Sequence, residues 1–178
     1  MSDIETGVEE WAMDKSEWGE GPWVDEPDRK EWRYRGLPCL MVRSHLGNWC
    51  GYVGVPPGHP WHGKNFDDVD VRVHGGLTYS DSCRGQVCHV ALPGDPDDVW
   101  WLGFDCCHAE DLAPGMQALL RKSRERDADL ARLEEETEAK LLAHDPDMLR
   151  ILHGTYRDLL YVEAEVGELA EQAVAAAR

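Results

Sequence analysis

The chain has 178 residues, 42% of them hydrophobic, with 35 acidic against 18 basic residues and a formal net charge of −17. That length supports one domain with a real core and a helical appendage. The acidity argues against a nucleic-acid backbone as partner, because phosphate contacts need a basic stripe, but it leaves room for a small anionic ligand in a local pocket.

No apolar run reaches the roughly 18 residues that a membrane span needs. The start, Met1-Ser2-Asp3-Ile4-Glu5-Thr6, is acidic and lacks the apolar core of a signal peptide. A cytoplasmic location is therefore expected. The six cysteines then read as free thiols or metal ligands before they read as disulfides. Eight Trp against two Phe is an unusual ratio. An indole offers a large apolar surface and one N–H donor, so it serves cores and ligand walls alike.

The expected fold class is α+β, a mostly antiparallel sheet followed by a C-terminal pair of long helices. Residues 1–36 read as an acidic, Trp-rich N-terminal arm, with a short helix near residues 8–13 and Trp11, Trp18 and Trp23 as anchors. Residues 37–113 read as a β-rich, site-bearing domain. Within it the apolar runs at 37–43 and 49–55 predict two strands joined by a hairpin turn at His45-Leu46-Gly47-Asn48. Glycines 51 and 54 inside the second run predict a bulge or a close backbone approach. Residues 56–68 form a long, proline-shaped loop of the kind that is functional or mobile.

Residues 69–74 alternate, with Val69, Val71 and Val73 on one face and Asp70, Arg72 and His74 on the other, and predict a strand. Further strands are expected at 87–92 and 99–105, separated by the turn cluster Pro93-Gly94-Asp95-Pro96. In the last strand Trp100, Leu102 and Phe104 face one way, and Trp101, Gly103 and Asp105 the other. Residues 114–178 predict a helical hairpin. Its first helix spans 115–144, and its second starts at Asp145-Pro146 with an apolar stripe through Leu149, Leu152, Tyr156, Leu159, Val162, Val166 and Leu169. Such a stripe needs a partner, which makes a homodimer through these helices a fair hypothesis.

The richest chemical cluster is Asp105, Cys106, Cys107, His108 and Asp111. Spacings of three would gather Asp105, His108 and Asp111 if a helix began after Asp105. Neutral imidazole with carboxylates suits a divalent metal such as Zn or Mn, and His74 is the natural outside ligand. The candidate metal set is thus His74, Asp105, His108 and Asp111, and the candidate catalytic set is His74, Asp105 and His108. The competing reading makes Asp105 a cap, ties His108 to a backbone carbonyl and leaves Asp111 in solvent. Cys83 and Cys88, with four residues between them, suggest a zinc thiolate pair completed by Cys106, Cys107 or His108. A thiol nucleophile at Cys106 or Cys107 is the weaker alternative. His59, Trp61, Thr78, Tyr79 and Trp101 are candidates to line a pocket for a nucleotide-like ligand, against the reading that the 56–61 loop simply packs over the sheet. His74-Gly75-Gly76 lacks the Gly-x-Ser-x-Gly elbow that a serine hydrolase of the α/β-hydrolase type requires.

The segments Cys50-Gly51-Tyr52-Val53-Gly54-Val55, Val73-His74-Gly75-Gly76-Leu77-Thr78-Tyr79-Ser80 and Trp100-Trp101-Leu102-Gly103-Phe104-Asp105-Cys106-Cys107-His108-Ala109-Glu110-Asp111 resemble a group of small proteins from bacteriophages and actinobacteria. The similarity reaches Tyr156-Arg157-Asp158-Leu159. It implies a phage or phage-host context and carries no activity with it. In that context a small acidic protein with a polar pocket fits the handling of a host nucleotide signal, by sequestering or cleaving it. The alternative is a non-enzymatic module that blocks a host protein through its acidic surface and helical hairpin.

Overall fold

The computed structural model describes residues 12–89, 91, 93–94, 96, 98–144 and 154–178. Five strands form one antiparallel sheet: β1 (Arg29–Tyr34), β2 (Leu37–Arg43), β3 (Trp49–Val55), β4 (Tyr79–Ser82) and β5 (Trp100–Asp105). Their spatial order is β1-β2-β3-β5-β4. Among the described residues three helices follow: α1 (Pro114–Arg126), α2 (Ala128–His144) and α3 (Leu159–Ala176). The architecture is α+β, as the residue pattern implies.

Both faces of the sheet are covered, which explains why β5 is buried through its centre on either side. On one face, Cys39, Met41, Trp49, Val53, Val55, Leu102 and Phe104 meet the α3 residues Val162, Val166, Leu169, Ala170 and Ala173. On the other, Leu40, Val42 and Trp101 meet Val87 and Val99, with Tyr52 and Tyr79 alongside. Alternation in β5 works as expected. Leu102 and Phe104 lie in the α3 core and Trp101 in the second one.

Close approach, rather than a bulge, accounts for Gly51. The β2–β3 register runs unbroken through it, and a Cβ there would lie 2.5 Å from Val166 Cγ2. The 44–48 hairpin turn is where the sequence places it, with Ser44 N donating to Asn48 O at 2.8 Å.

Five expectations need correction. Residues 29–34, assigned to the arm, are β1, and pair with β2 over their whole length. Residues 69–74 keep their alternation, with Val69 buried and Asp70 and Arg72 exposed, but they are not a strand. Their backbone bonds to helix side chains instead. Arg72 N donates to Gln172 Oε1 at 2.8 Å, Gln172 Nε2 donates to Arg72 O at 2.7 Å, and His74 N donates to Glu165 Oε2 at 2.7 Å. A side-chain amide thus satisfies both backbone groups that a neighbouring strand would satisfy. The segment expected as a strand at 87–92 shows only an isolated bridge, Arg84 to Val87, and residues 90 and 92 lie outside the described residues.

Finally, the expected 115–144 helix is broken at Asp127. Its backbone leaves the helical region, and its Oδ1 accepts from Asp129 N and Leu130 N, so one aspartate ends α1 and caps α2. The last helix starts at Leu159 with Asp158 as N-cap, accepting from Tyr161 N at 2.8 Å, so Tyr156 precedes it. The Asp145-Pro146 start, Leu149, Leu152, Trp11 and the helix expected before Trp11 fall outside the described residues. Of the other arm tryptophans, Trp18 is buried, and Trp23 packs edge-on against Tyr156 with ring centroids 5.0 Å apart.

Candidate functional site

Asp111 is the centre of the site. No helix follows Asp105. The chain turns, and His108 N donates to Asp111 Oδ2 at 3.0 Å while Asp111 N donates to His108 O at 3.0 Å. Residues 110–112 are then stitched to the strand-like stretch before α3. Thr155 N donates to Glu110 O at 2.7 Å, and Leu112 N donates to Thr155 O at 3.0 Å. This pairing delivers Arg157, whose Nε donates to Asp111 Oδ1 at 2.8 Å.

His74 arrives from the opposite side, on the turn that ends the segment running along α3. Its Nε2 lies 2.7 Å from Asp111 Oδ2 and its Nδ1 lies 3.0 Å from the Tyr161 hydroxyl. With Asp111 ionised, the Nε2–H donates to the carboxylate and Nδ1 accepts from Tyr161. Burial works to raise the Asp111 carboxyl, but the hydrogen bonds from Arg157, His74 and the His108 backbone outweigh it and hold the group below its ordinary value. Only 1% of the Asp111 side chain is exposed.

His108 is the open member of the set. Its ring lies 5.3 Å, centroid to centroid, from that of His74, and its residue is exposed. Gly75 makes this approach possible. Its φ is +65°, and a Cβ there would sit 1.7 Å from His108 Nε2. Ligand atoms of His74, His108 and Asp111 all lie within 4.8 Å of one another. Two imidazoles and a carboxylate make a ligand set for Zn, Mn or Fe. The Tyr161 hydroxyl fits such a role, since it can donate to Nδ1 or accept from it, and so permits either tautomer of His74.

Asp105, expected in the same cluster, is elsewhere. Strand alternation puts it on the second face of the sheet, opposite Cys50 in the β3–β5 register. Its Oδ2 accepts from Thr78 Oγ1 at 2.8 Å and its Oδ1 from Cys107 N at 3.0 Å. Asp105 is therefore a cap of the turn that follows it, and the three-residue spacing has no helix on which to act. Thr78 is committed to that cap.

The expected pocket wall disperses too. His59 is buried, with Nδ1 accepting from Trp61 N at 3.0 Å and Nε2 donating to Ala173 O at 2.9 Å. Trp61 lies in the α3 core, so the 56–61 loop packs down as structure. Trp101 is fully buried in the second core, where its indole N–H has no hydrogen-bond partner among the described residues. Tyr79 packs edge-on against Tyr52, with centroids 5.3 Å apart.

A thiol nucleophile at Cys106 or Cys107 is disfavoured. Cys106 is buried, and burial, then the charges of Asp111 and of its neighbours, pushes its thiol far up. Burial, followed by Asp105 and Asp111, also raises Cys107. Cys83 and Cys88 form a disulfide, and Cys106, Cys107 and His108 do not join them.

Arg157 is the site residue that sequence reasoning missed. Its side chain lies over the Tyr161 ring, 5.0 Å from the centroid. Its Nε is taken by Asp111, and among the described residues no side chain or carbonyl occupies its two terminal nitrogens. No protein-family model, no curated protein and no solved structure matches this chain. Among the described residues no helix is long and apolar enough to cross a membrane.

Proposed function

We propose that the chain binds a small anionic, nucleotide-like ligand at the His74–His108–Asp111 site, with a divalent cation held by these three side chains. The observation that carries this reading is their convergence, two imidazoles and a carboxylate brought from the 74–76 turn and the 108–111 turn. Arg157 supports the anionic character of the ligand, because no described residue takes its terminal nitrogens, which have the fork geometry that clamps a phosphate or carboxylate. In a hydrolytic version His74, His108 and Asp111 would hold the cation, which would supply water activation and polarisation of a phosphoryl or acyl oxygen. Arg157 neutralises charge that develops on the ligand. The phage-type context and a cytoplasmic place of action, with a counter-defence role against a host nucleotide signal, belong to the same proposal.

A thermal-shift screen tests it. With Cys83 and Cys88 kept oxidised, Zn2+ or Mn2+ raises the melting midpoint of the wild type, and a mono- or cyclic nucleotide raises it further. His108→Ala, an exposed change, keeps the fold and loses both shifts. A midpoint that no divalent metal moves overturns the reading.

One observation favours a second reading, a binding module acting through the helical hairpin, either as a homodimer or against a host protein. Helix α2 has no buried residue, and Leu119 and Leu133 are 57% and 61% exposed on α1 and α2. Light scattering separates the readings. A dimer dissociated by Leu133→Glu, with no response to metal or nucleotide, supports the module.

A further inference from the structure

The long excursion between β4 and β5 carries a second group of ligating side chains, on the sheet face remote from α3. Cys83 follows β4 directly. Arg84 N donates to Val87 O at 2.9 Å and Val87 N donates to Arg84 O at 3.0 Å, a tight turn that returns the chain so that Cys88 meets Cys83. His89 follows. The two disulfide sulfurs and a ring nitrogen of His89 all lie within 4.8 Å of one another. Two cysteines with four residues between them on a hairpin, and a neighbouring histidine, have the composition of a zinc knuckle at the upper end of its spacing.

The turn is held in place independently of its disulfide. Val87 is 8% exposed and packs with Leu40, Val42, Val99 and Trp101. Arg29, on the far edge strand β1, reaches across the face. Its Nη1 donates to Gln86 O at 2.6 Å and its Nη2 to Cys88 O at 2.7 Å. Opening the S–S bond therefore frees the two sulfurs while leaving the backbone that carries them anchored by one apolar side chain and two charge-assisted hydrogen bonds.

We propose that residues 83–89 form a redox-gated Zn2+ site, a disulfide when oxidised and a Cys83–Cys88–His89 ligand set when reduced. A low-molecular-weight dithiol delivers two electrons and two protons by thiol–disulfide exchange and leaves as its own cyclic disulfide. Cys83 and Cys88 become thiols. Zn2+ then displaces both thiol protons to solvent, and His89 donates the lone pair of its neutral imidazole. Two thiolates cancel the ion's charge, and water takes the fourth position. This site is separate from the His74–His108–Asp111 site, which contains no thiolate.

Co2+ is the probe that tests the proposal. Full-length protein is reduced with dithiothreitol, freed of it by gel filtration under argon, and titrated with Co2+. The expected result is thiolate-to-cobalt charge-transfer absorption in the near ultraviolet that saturates and is bleached by Zn2+. The oxidised protein shows none of it, a comparison that needs no substitution. Cys83→Ser and Cys88→Ser each remove most of the absorption, whereas His108→Ala keeps it. Failure of the first site leaves this signal intact, so the two proposals fall separately. Absence of the absorption in reduced wild type overturns the inference. So does absorption that survives Cys83→Ser, which would assign the thiolates to Cys50, Cys106 or Cys107.

Discussion

Two polar clusters flank the N-terminal end of α3, built from the same kinds of group and finished differently. The first is centred on Arg43, whose side chain is fully buried. Its Nε donates to Asp28 at 2.7 Å, one terminal nitrogen to Gly47 O at 2.9 Å and Tyr156 Oη at 2.7 Å, and the other to Glu26 at 2.8 Å. The guanidinium also lies 4.3 Å from the centroid of the Trp49 ring. Glu26 accepts in addition from Trp49 Nε1, from the Tyr156 hydroxyl and from Leu159 N at the start of α3. Every donor has an acceptor, and nothing is left to offer a ligand. The second cluster, around Asp111, is equally buried at its centre but ends in an exposed imidazole and a guanidinium whose terminal nitrogens no described residue takes. A closed network ties the arm, the sheet and α3 together, while an open one has reach. The two clusters differ in what remains unpaired at the edge among the described residues.

The largest effect is expected from breaking the closed network. Arg43→Met leaves Glu26 as a buried carboxylate without its cation and leaves Asp28 with Lys15 alone. Removing one partner of a buried pair costs about 3–5 kcal/mol, and urea unfolding should show a loss of that size. Asp111→Asn in the open network costs less, about 1–3 kcal/mol, because it unpairs Arg157 and His74 but leaves both close to solvent. The same substitution abolishes the metal-induced shift, and a variant that still responds to Zn2+ would remove Asp111 from the ligand set.

Acid should weaken both clusters in the same direction. Burial works to raise Glu26, yet its bonds from Tyr156, Leu159 N, Arg43 and Trp49 hold it below its ordinary 4.5, as Asp111 is held below 3.8. A depressed carboxylate contributes stability that is complete above its unfolded value and lost as pH falls through the folded one. Melting midpoints should therefore be flat above about pH 5 with respect to these two groups and fall below about pH 4. In Glu26→Gln the fall should be shallower. An equally steep fall in that variant would locate the acid sensitivity elsewhere.

Local pattern carried the α+β class and the strands β2, β3 and β5, and failed where a distant element decided the outcome. Alternation in β5 already set Asp105 on the face of Trp101, away from Leu102 and Phe104. The expectation that it joins His108 and Asp111 required a helix that the chain does not form. The alternation at Val69, Val71 and Val73 was sound, but the partner is Gln172, 100 residues away, and no local signal names it. Arg43 was legible in part. It lies in phase with Cys39 and Met41 in an apolar run, so a buried cation was implied, and Glu26 and Asp28 in the acidic turn before β1 were available counterions. Arg157 was not, because its position depends on the pairing of Thr155 with residues 110–112.

The smallest stability effect and the sharpest functional one should coincide at His108→Ala. The imidazole is exposed, it has no hydrogen-bond partner among the described residues, and it rests on the bare backbone of Gly75. Surface substitutions of this kind stay within about 0.5 kcal/mol. The backbone N–H that caps Asp111 survives the change, so the Asp111–His74–Arg157 geometry does too. Metal and nucleotide shifts should nevertheless vanish, since two ligands of a three-ligand set hold a divalent ion poorly. A converse pair tests the same point from the other side. Gly75→Ala places a methyl where the His108 ring lies and strains a φ of +65°, so it should expel the imidazole and reproduce the binding loss with His108 still present. If Gly75→Ala folds and binds metal as the wild type does, the contact between these two residues does not position the ligand, and the open cluster is then another structural network like the one around Arg43.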